Sequence, residues 1–525
     1  MKTKKEVFHY GNDHLDMDTA LAVAEGRADG QISLEAADRI RAAEAVVKHI
    51  AAGDVSVYGI NTGFGTLCST RISAKDTELL QHNILRSHSC GMGPAVSRNI
   101  ARLMMILKVH ALSMGHSGVR LETVERILWH INSQVIPVVP SQGSVGASGD
   151  LAPLAHLFLP LIGRGEVWWK DERVPTAKML KQTGLEPLQL GPKEGLALIN
   201  GTQFITAHAV TAWDRMRNCL DHADIIAAMS VEALLGSSAP FSEELHQLRP
   251  YRGTLRVAGR LRNLLRGSEM LASHARCGRV QDPYSLRCIP QVHGASRNAW
   301  IHLGEALDVE MNAVTDNPLI FAPDRAVSGG NFHGQPLALP LDYATLAASE
   351  LGNISDRRSY LLLDGEAAGL PKLLMKSTGL NSGFMIPQYL SAALVSENKS
   401  LCFPPSADSI PTSLGQEDHV SMGSISARRL HTVLDNLERI LAVELVLAAQ
   451  GFDFHRPLKS GPVLEACHAR VRREISHAEA DREFYVDLET AAGLIRSREL
   501  VEISRRVAAE SGFSLDGEED LVRGV

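Results

Sequence analysis

The nine residues Gly143-Ser144-Val145-Gly146-Ala147-Ser148-Gly149-Asp150-Leu151 bring three glycines, two hydroxyls and a carboxylate together. Three kinds of chemistry can be asked of such a segment. A phosphate cradle needs Gly-Lys-Ser/Thr, or a tight Gly-x-Gly-x-x-Gly after a strand, and has neither here. A plain loop feeding a helix would use Asp150 as the N-cap, and spacing alone favours that reading. The third reading is backbone cyclisation. Gly149 has no side chain to shield its amide nitrogen, which could attack the carbonyl carbon of Ala147 if the turn pressed them together. Loss of one water from the ring and another from the Ser148 side chain would leave a conjugated exocyclic methylidene. That product is an electrophile, which ordinary side chains, being nucleophiles or acids, do not supply.

Other chemistry-bearing residues lie in separate loops. Tyr58 opens the run Tyr-Gly-Ile-Asn-Thr-Gly-Phe-Gly, residues 58–65. A phenol titrates near pH 10, so a tyrosine base needs cations or a helix N-terminus nearby to lower its pKa. Gly59, Gly63 and Gly65 suggest a mobile loop; the plainer alternative is a tyrosine packed on its neighbours. Arg287 closes Gln281-Asp-Pro-Tyr284-Ser-Leu-Arg287 and offers the planar fork that binds a carboxylate in bidentate fashion. Taken singly, each of these polar residues reads more simply as a surface or capping group. No metal spacing is evident: His82 and His88 are six apart and do not share a helical face, and Gln416-Glu-Asp-His419 is not His-Glu-x-x-His.

The elements that must position these residues are mainly helical. Ser33 precedes Leu34, Ala37, Ile40, Ala43, Val46, Val47 and Ile50 on one face, with Gly53 as the stop. Ser97 precedes an apolar segment from Ile100 to Leu112. Residues 203–235, 297–314 and 423–450 are long enough for multi-turn helices, and the last is apolar on two faces, as a helix buried among others would be. A small hairpin is predicted at 165–175. Strands and helices do not alternate, which argues against a doubly wound sheet. The expected class is mainly α: a loop-rich N-terminal domain over 1–199 carrying the glycine-rich loop, then a helical bundle domain over 200–525. The Gly- and Pro-rich stretches at 58–65, 137–153, 282–294, 326–336 and 403–416 fall between helices, where long loops usually serve function.

Bulk properties narrow the class. A net charge of -7 over 525 residues lacks the basic excess of a nucleic-acid protein. No apolar run reaches the roughly 18–20 residues that span a bilayer. The basic start lacks the apolar stretch of a signal peptide. Seven cysteines (Cys68, Cys90, Cys219, Cys277, Cys288, Cys402, Cys467), odd in number and without a Cys-x-x-Cys pair, fit reduced thiols in a cytoplasm.

Ser-Val-Gly-Ala-Ser-Gly-Asp-Leu-Ala-Pro-Leu-Ala-His, residues 144–156, resembles the signature of the aromatic amino-acid ammonia-lyase and aminomutase family. The family's other motifs recur in order: YGINTGFG, ALINGTQ, QDPYSLR, TDNPLI, NFHGQP, GLNSGFM, SENK and PTSLGQEDHVSMG. The resemblance implies that Ala147, Ser148 and Gly149 become 4-methylideneimidazole-5-one without another enzyme, and that no metal or external cofactor is needed. It implies further that Tyr58 is the base that removes the β-proton and that Tyr284 is a second active-site tyrosine. Arg287 would bind the substrate carboxylate, Asn200 and Gln281 would hold the cofactor oxygen or the substrate, and Phe332 would wall the site. A homotetramer with sites shared between subunits is implied as well, with an amino acid as the only partner and neither nucleic acid nor membrane.

Two segments bear on which ring is accepted. Members acting on histidine carry Ser-His where this chain has Ser87-His88, and an acidic residue where it has Glu417. Those acting on phenylalanine or tyrosine usually have Gln at the latter place. Imidazole can donate an N–H to a carboxylate, whereas a buried carboxylate facing a phenyl ring would be left unpaired. The resemblance thus implies conversion of L-histidine to trans-urocanate and ammonia, with a tyrosine or phenylalanine lyase or an aminomutase as the alternative. Ile289, His293, Gly334-Gln335 and Leu414-Gly415 depart from the residues more common in histidine-acting members.

Overall fold

The computed structural model describes residues 6–63, 72–275, 278–321 and 323–515; Gly65, Cys68 and Cys277 lie outside them. Helices predominate, and their ends follow the capping chemistry written in the sequence. Ser33 accepts the Ala36 N–H at the head of the helix Leu34–Ala52, and Gly53 ends it. Ala36, Ala37, Ile40, Ala43, Val46 and Val47 are its buried face. Leu34, expected on that face, is exposed, because as the first helical residue it extends beyond the packed turns. Ser97 caps Arg98–Ser113 through the Ile100 N–H. The long helices are Gln203–Ala233, Ile289–Met311, Gln335–Asp364 and Gly423–Phe454.

Strands are short. Glu166–Trp169 pairs antiparallel with Glu172–Pro175 in the expected hairpin. Its two-residue turn, Lys170-Asp171, has φ of 50° and 63°, the left-handed pair that matches strand twist. No helix among the described residues is long and apolar enough to cross a membrane.

Contacts divide the chain into two compact units that interleave in sequence. The first comprises 1–211, 305–341 and 404–428; the second comprises 212–304, 342–403 and 429–525. The first break therefore falls at 211/212. Two later segments return to the N-terminal unit: in 305–341, Asp316 accepts from Ser117 and Lys193, and in 404–428, which holds the glycine-rich loop, Met422 N–H donates to Val145 O at 2.9 Å and Ser424 Oγ to Ser144 O at 2.6 Å.

The second unit is built on helices that bury polar networks as well as apolar faces. The Trp213 and Trp300 rings stack with centroids 4.7 Å apart. Glu444, fully buried, accepts from Arg358, Ser230 and Ser355. Asp224 accepts from Arg260, Arg297 and His293, and the far nitrogen of His293 lies 3.3 Å from Arg358. Within these two clusters each buried charge has its counter-charge, as burial requires. His293 links the two clusters.

Candidate active site

The glycine-rich loop leaves the short strand Pro140–Gln142 and enters the helix Leu151–Phe158. Its backbone is left-handed at Gly146 (φ 80°), Ser148 (φ 50°) and Gly149 (φ 80°), a conformation a serine adopts only when its surroundings impose it. A Cβ on Gly149 would stand 2.1 Å from Gly201 O, so no other residue fits there. Gly149 and Gly201 form a parallel bridge. Asp150 N–H donates to Gly201 O at 2.8 Å, and Gly201 N–H donates to Ser148 O at 3.3 Å. A parallel bridge uses the neighbours' groups, so the Gly149 N–H, the nitrogen ring closure needs, stays out of the ladder.

Asp150 corrects one of the readings made from the sequence. It precedes the helix Leu151–Phe158 but gives it no side-chain cap. Its Oδ2 instead accepts the N–H groups of Phe204 (3.0 Å) and Ile205 (2.9 Å) at the head of Gln203–Ala233, while Oδ1 takes Ser144 Oγ at 3.2 Å. The carboxylate thus ties the loop to a distant helix. Burial pushes its pKa up to about 7, against the opposing pull of those hydrogen bonds; Glu310 adds to the rise.

Glu417 meets the loop at the serine hydroxyl. Ser148 Oγ donates to Glu417 Oε1 at 3.2 Å, and Thr412 Oγ1 donates to Oε2 at 3.0 Å. His88 ends the helix Ala74–His88, half-buried, with Nδ1 3.0 Å from Ser87 Oγ. Burial lowers its pKa; the Ile84 backbone and the nearby Glu417 charge pull the other way. Ala147 packs with Val420 and Met422, so the Glu417 segment flanks the tripeptide on two sides.

Asn200 is buried at the end of the helix Glu194–Ile199 and directly precedes Gly201. Tyr58 is half-buried, and the next residue, Gly59, sits against Leu196 of that helix so closely that a Cβ would be 2.3 Å from Leu196 Cδ2. Ile60 anchors the turn in a cluster with Ala43, Val46, Val47 and Ile320. Phe332 is half-buried in a segment laid beside 419–423: His333 stacks on His419, and a Cβ on Gly334 would meet Ser421 Oγ at 2.8 Å. The first unit therefore gathers the tripeptide, Glu417 and His88, with the Asn200, Tyr58 and Phe332 segments built around them.

Gln281, Tyr284 and Arg287 belong to the second unit and gather among themselves. Tyr284–Arg287 is a single helical turn, and the Arg287 guanidinium lies 4.5 Å over the Tyr284 ring. Buried Asp282 fixes their approach by accepting Ser237 N–H (2.6 Å) and Arg279 Nη1 (2.9 Å). Gln281 lines a cavity of about 270 Å³ with Arg279, Leu286 and Asp364. Gly201, Thr412 and Asp282, whose work is to hold the others, carry no chemistry that sequence reasoning singles out. Only Gly201, in an Asn-Gly pair, left a local signal.

The residues fit a cofactor made from the tripeptide. The turn is left-handed at its middle, closed to any side chain at Gly149, and held by polar contacts from Glu417, Gly201 and Ser144. The chain is similar to known proteins over most of its length. The aromatic amino acid lyase family model matches residues 15–473. A histidine ammonia-lyase of Sorangium cellulosum (strain So ce56) is 51% identical over 480 residues, 90% of this chain and 93% of the relative. The structure of histidine ammonia-lyase from Trypanosoma cruzi superposes with a TM-score of 0.89 at 42% identity, covering 99% of this chain and 97% of the other. That of tyrosine aminomutase from Streptomyces globisporus gives 0.90 at 35% identity, covering 95% and 98%.

Proposed function

The chain belongs to the aromatic amino acid lyase family, and we propose that it is an ammonia-lyase converting L-histidine to trans-urocanate and ammonia. The observation that carries the substrate is the carboxylate of Glu417, 3.2 Å from Ser148 Oγ and close enough to His88 to favour its charged form. An apolar ring placed there would strand that carboxylate, whereas an imidazole N–H satisfies it.

The group formed from Ala147-Ser148-Gly149 supplies an electrophile that makes the substrate's amine a better leaving group. The chain's own side chains do the rest. Glu417 and His88 hold the imidazole ring, and Phe332 walls it. Arg287 takes the α-carboxylate as a bidentate pair, with Tyr284 beside it. Asn200 and Gln281 hold the cofactor oxygen or the substrate by hydrogen bonds. Tyr58, as phenolate, accepts the β-proton; the C–N electrons leave with ammonia, and a carbon–carbon double bond remains.

The site is completed by association. Val280 (95% exposed), Leu414 (95%) and Phe403 (80%) are apolar surface that a partner copy would cover, and a homotetramer whose sites draw residues from more than one subunit accounts for it. The five described cysteines are all free, in keeping with a cytoplasmic protein. Incubation with histidine, tyrosine and phenylalanine, followed by ultraviolet spectra of the acrylate products, tests the assignment. Urocanate is expected; coumarate or cinnamate in its place, or a β-amino acid, would overturn it.

A further inference from the structure

Lys108 stands in the middle of Arg98–Ser113, fully buried, among Leu103, Met104, Ile106, Leu107 and Val109. A leucine would suit that helix better, because an ammonium buried without a counter-charge is costly. Among the described residues no carboxylate lies within ion-pair distance of its Nζ. It donates instead to two backbone carbonyls, Ala197 O at 2.9 Å and Asn200 O at 2.5 Å. These are carbonyls at the end of the Glu194–Ile199 helix, where the intrahelical ladder runs out. Asn200 is followed by Gly201, whose N–H and C=O grip Ser148 and Asp150. Thr202, next along, is anchored through its hydroxyl to Glu310.

We infer that Lys108 is a positioning residue for cofactor formation: by pinning the Ala197 and Asn200 carbonyls it fixes the Gly201 strip on which the tripeptide turn is bent. The inference rests on the tripeptide being the cofactor precursor. Ring closure forms the bond from Gly149 N to the Ala147 carbonyl carbon and moves the Gly149 N–H proton onto the Ala147 oxygen. That oxygen leaves as water with the Ser148 N–H proton. The second water takes Ser148 Oγ and the Ser148 Cα proton. No oxidant enters, and nothing but geometry has to be supplied. Gly201 supplies it through the two hydrogen bonds that bracket Gly149. A strip free to shift would let the turn relax out of its left-handed backbone. Burial lowers the Lys108 pKa to about 7, Lys193 contributing in the same direction and Asp316 and Asp150 opposing; even the neutral amine retains two N–H bonds for two carbonyls.

Intact mass of the full chain, followed from synthesis or refolding, reads maturation directly as the loss of two waters. Wild type is expected to show it. Lys108→Met, unbranched and lacking donors, should fold and mature about ten-fold more slowly or less completely. Lys108→Gln, of the same reach as methionine but with amide donors, should fall between the two, and it carries the test if Lys108→Met does not fold. Lys193→Met is the control for general damage. Lys193 is also fully buried in this unit, but it donates to Ser117 O and Asp316, so its loss should lower the melting temperature while maturation stays complete. A folded Lys108 variant that matures at the wild-type rate, or equal immaturity in Lys193→Met, overturns the role of Lys108 alone. A wild-type chain that never loses the waters overturns the cofactor reading itself.

Discussion

Ser148 Oγ and Glu417 Oε1 are 3.2 Å apart although 269 positions separate them in the chain. On the proposed reading, the contact puts the hydroxyl that cofactor formation would expel beside the carboxylate assigned to the substrate's imidazole. Thr412 satisfies the other oxygen, so the carboxylate is held rather than loose.

Glu417→Gln keeps the shape but exchanges a charged acceptor for a neutral amide. A hydrogen bond to a charged group is worth about 1.5–3 kcal/mol, so kcat/KM for histidine should fall by about 10- to 100-fold. Because Glu417 is only half-buried, the melting temperature should hardly move. Steady-state rates at the urocanate absorbance, together with thermal melts, check both halves. An unchanged kcat/KM would remove Glu417 from the substrate contacts.

His88 sets an acid limit. Burial lowers its pKa below 6.5, so the neutral imidazole persists to lower pH than in a free histidine. Protonation there removes the ring's acceptor and puts a charge beside a substrate that itself carries an imidazole. The kcat/KM profile should hold as pH falls to 6.5 and decline only below it. His88→Asn should flatten that limb beyond what free histidine's own titration imposes. A profile that breaks above 6.5 in wild type, and does so equally in the variant, would exclude His88 as its origin.

What the sequence disclosed, and what it hid, follows from how far each effect reaches. Caps act within one helical turn, so Ser33 and Ser97 marked their helices correctly. The 203–235 and 423–450 helices were visible because long apolar runs without breakers need no partner to be read. The Gln335–Asp364 helix was invisible because Pro336 and Pro340 lie in its first turns, where the structure tolerates them but a pattern does not. The motif residues could be listed, but not the ties between them. That Asp150 caps the helix at Phe204 and Ile205 rather than its own is a tertiary choice no spacing records. The interleaving of 305–341 and 404–428 with the N-terminal unit is of the same kind.

Gly149→Ala tests the bend rather than the chemistry. The added methyl would lie 2.1 Å from Gly201 O and 2.5 Å from its carbonyl carbon, and backbone on both sides cannot give way cheaply. Positive φ adds a further penalty of roughly 1 kcal/mol or more. The bridge to Gly201 should open, leaving a chain that retains its helices by circular dichroism but shows the unmodified mass and no turnover. Normal maturation in this variant would mean that the bridge is not what shapes the turn.

Asp150 should leave its mark on stability as pH changes. Its folded pKa of about 7 lies above the ordinary carboxyl value of 3.8, with burial as the main cause. Between those values the folded protein holds a proton that the unfolded chain has released. Stability from this group is therefore greatest in acid and declines as pH rises from 3.8 to about 7, after which both states are ionised and the loss is complete. Asp150→Asn cannot ionise, yet its carbonyl oxygen can still accept from Phe204 and Ile205, and Ser144 Oγ can turn to accept from its amide. The variant should be less stable than wild type in acid, where the protonated carboxyl is at its best, and should gain on it steadily as pH rises to 7. Thermal midpoints of both proteins across that range measure the difference. Parallel curves would mean that the Asp150 carboxylate keeps its charge in the fold and that the hydrogen bonds outweigh its burial.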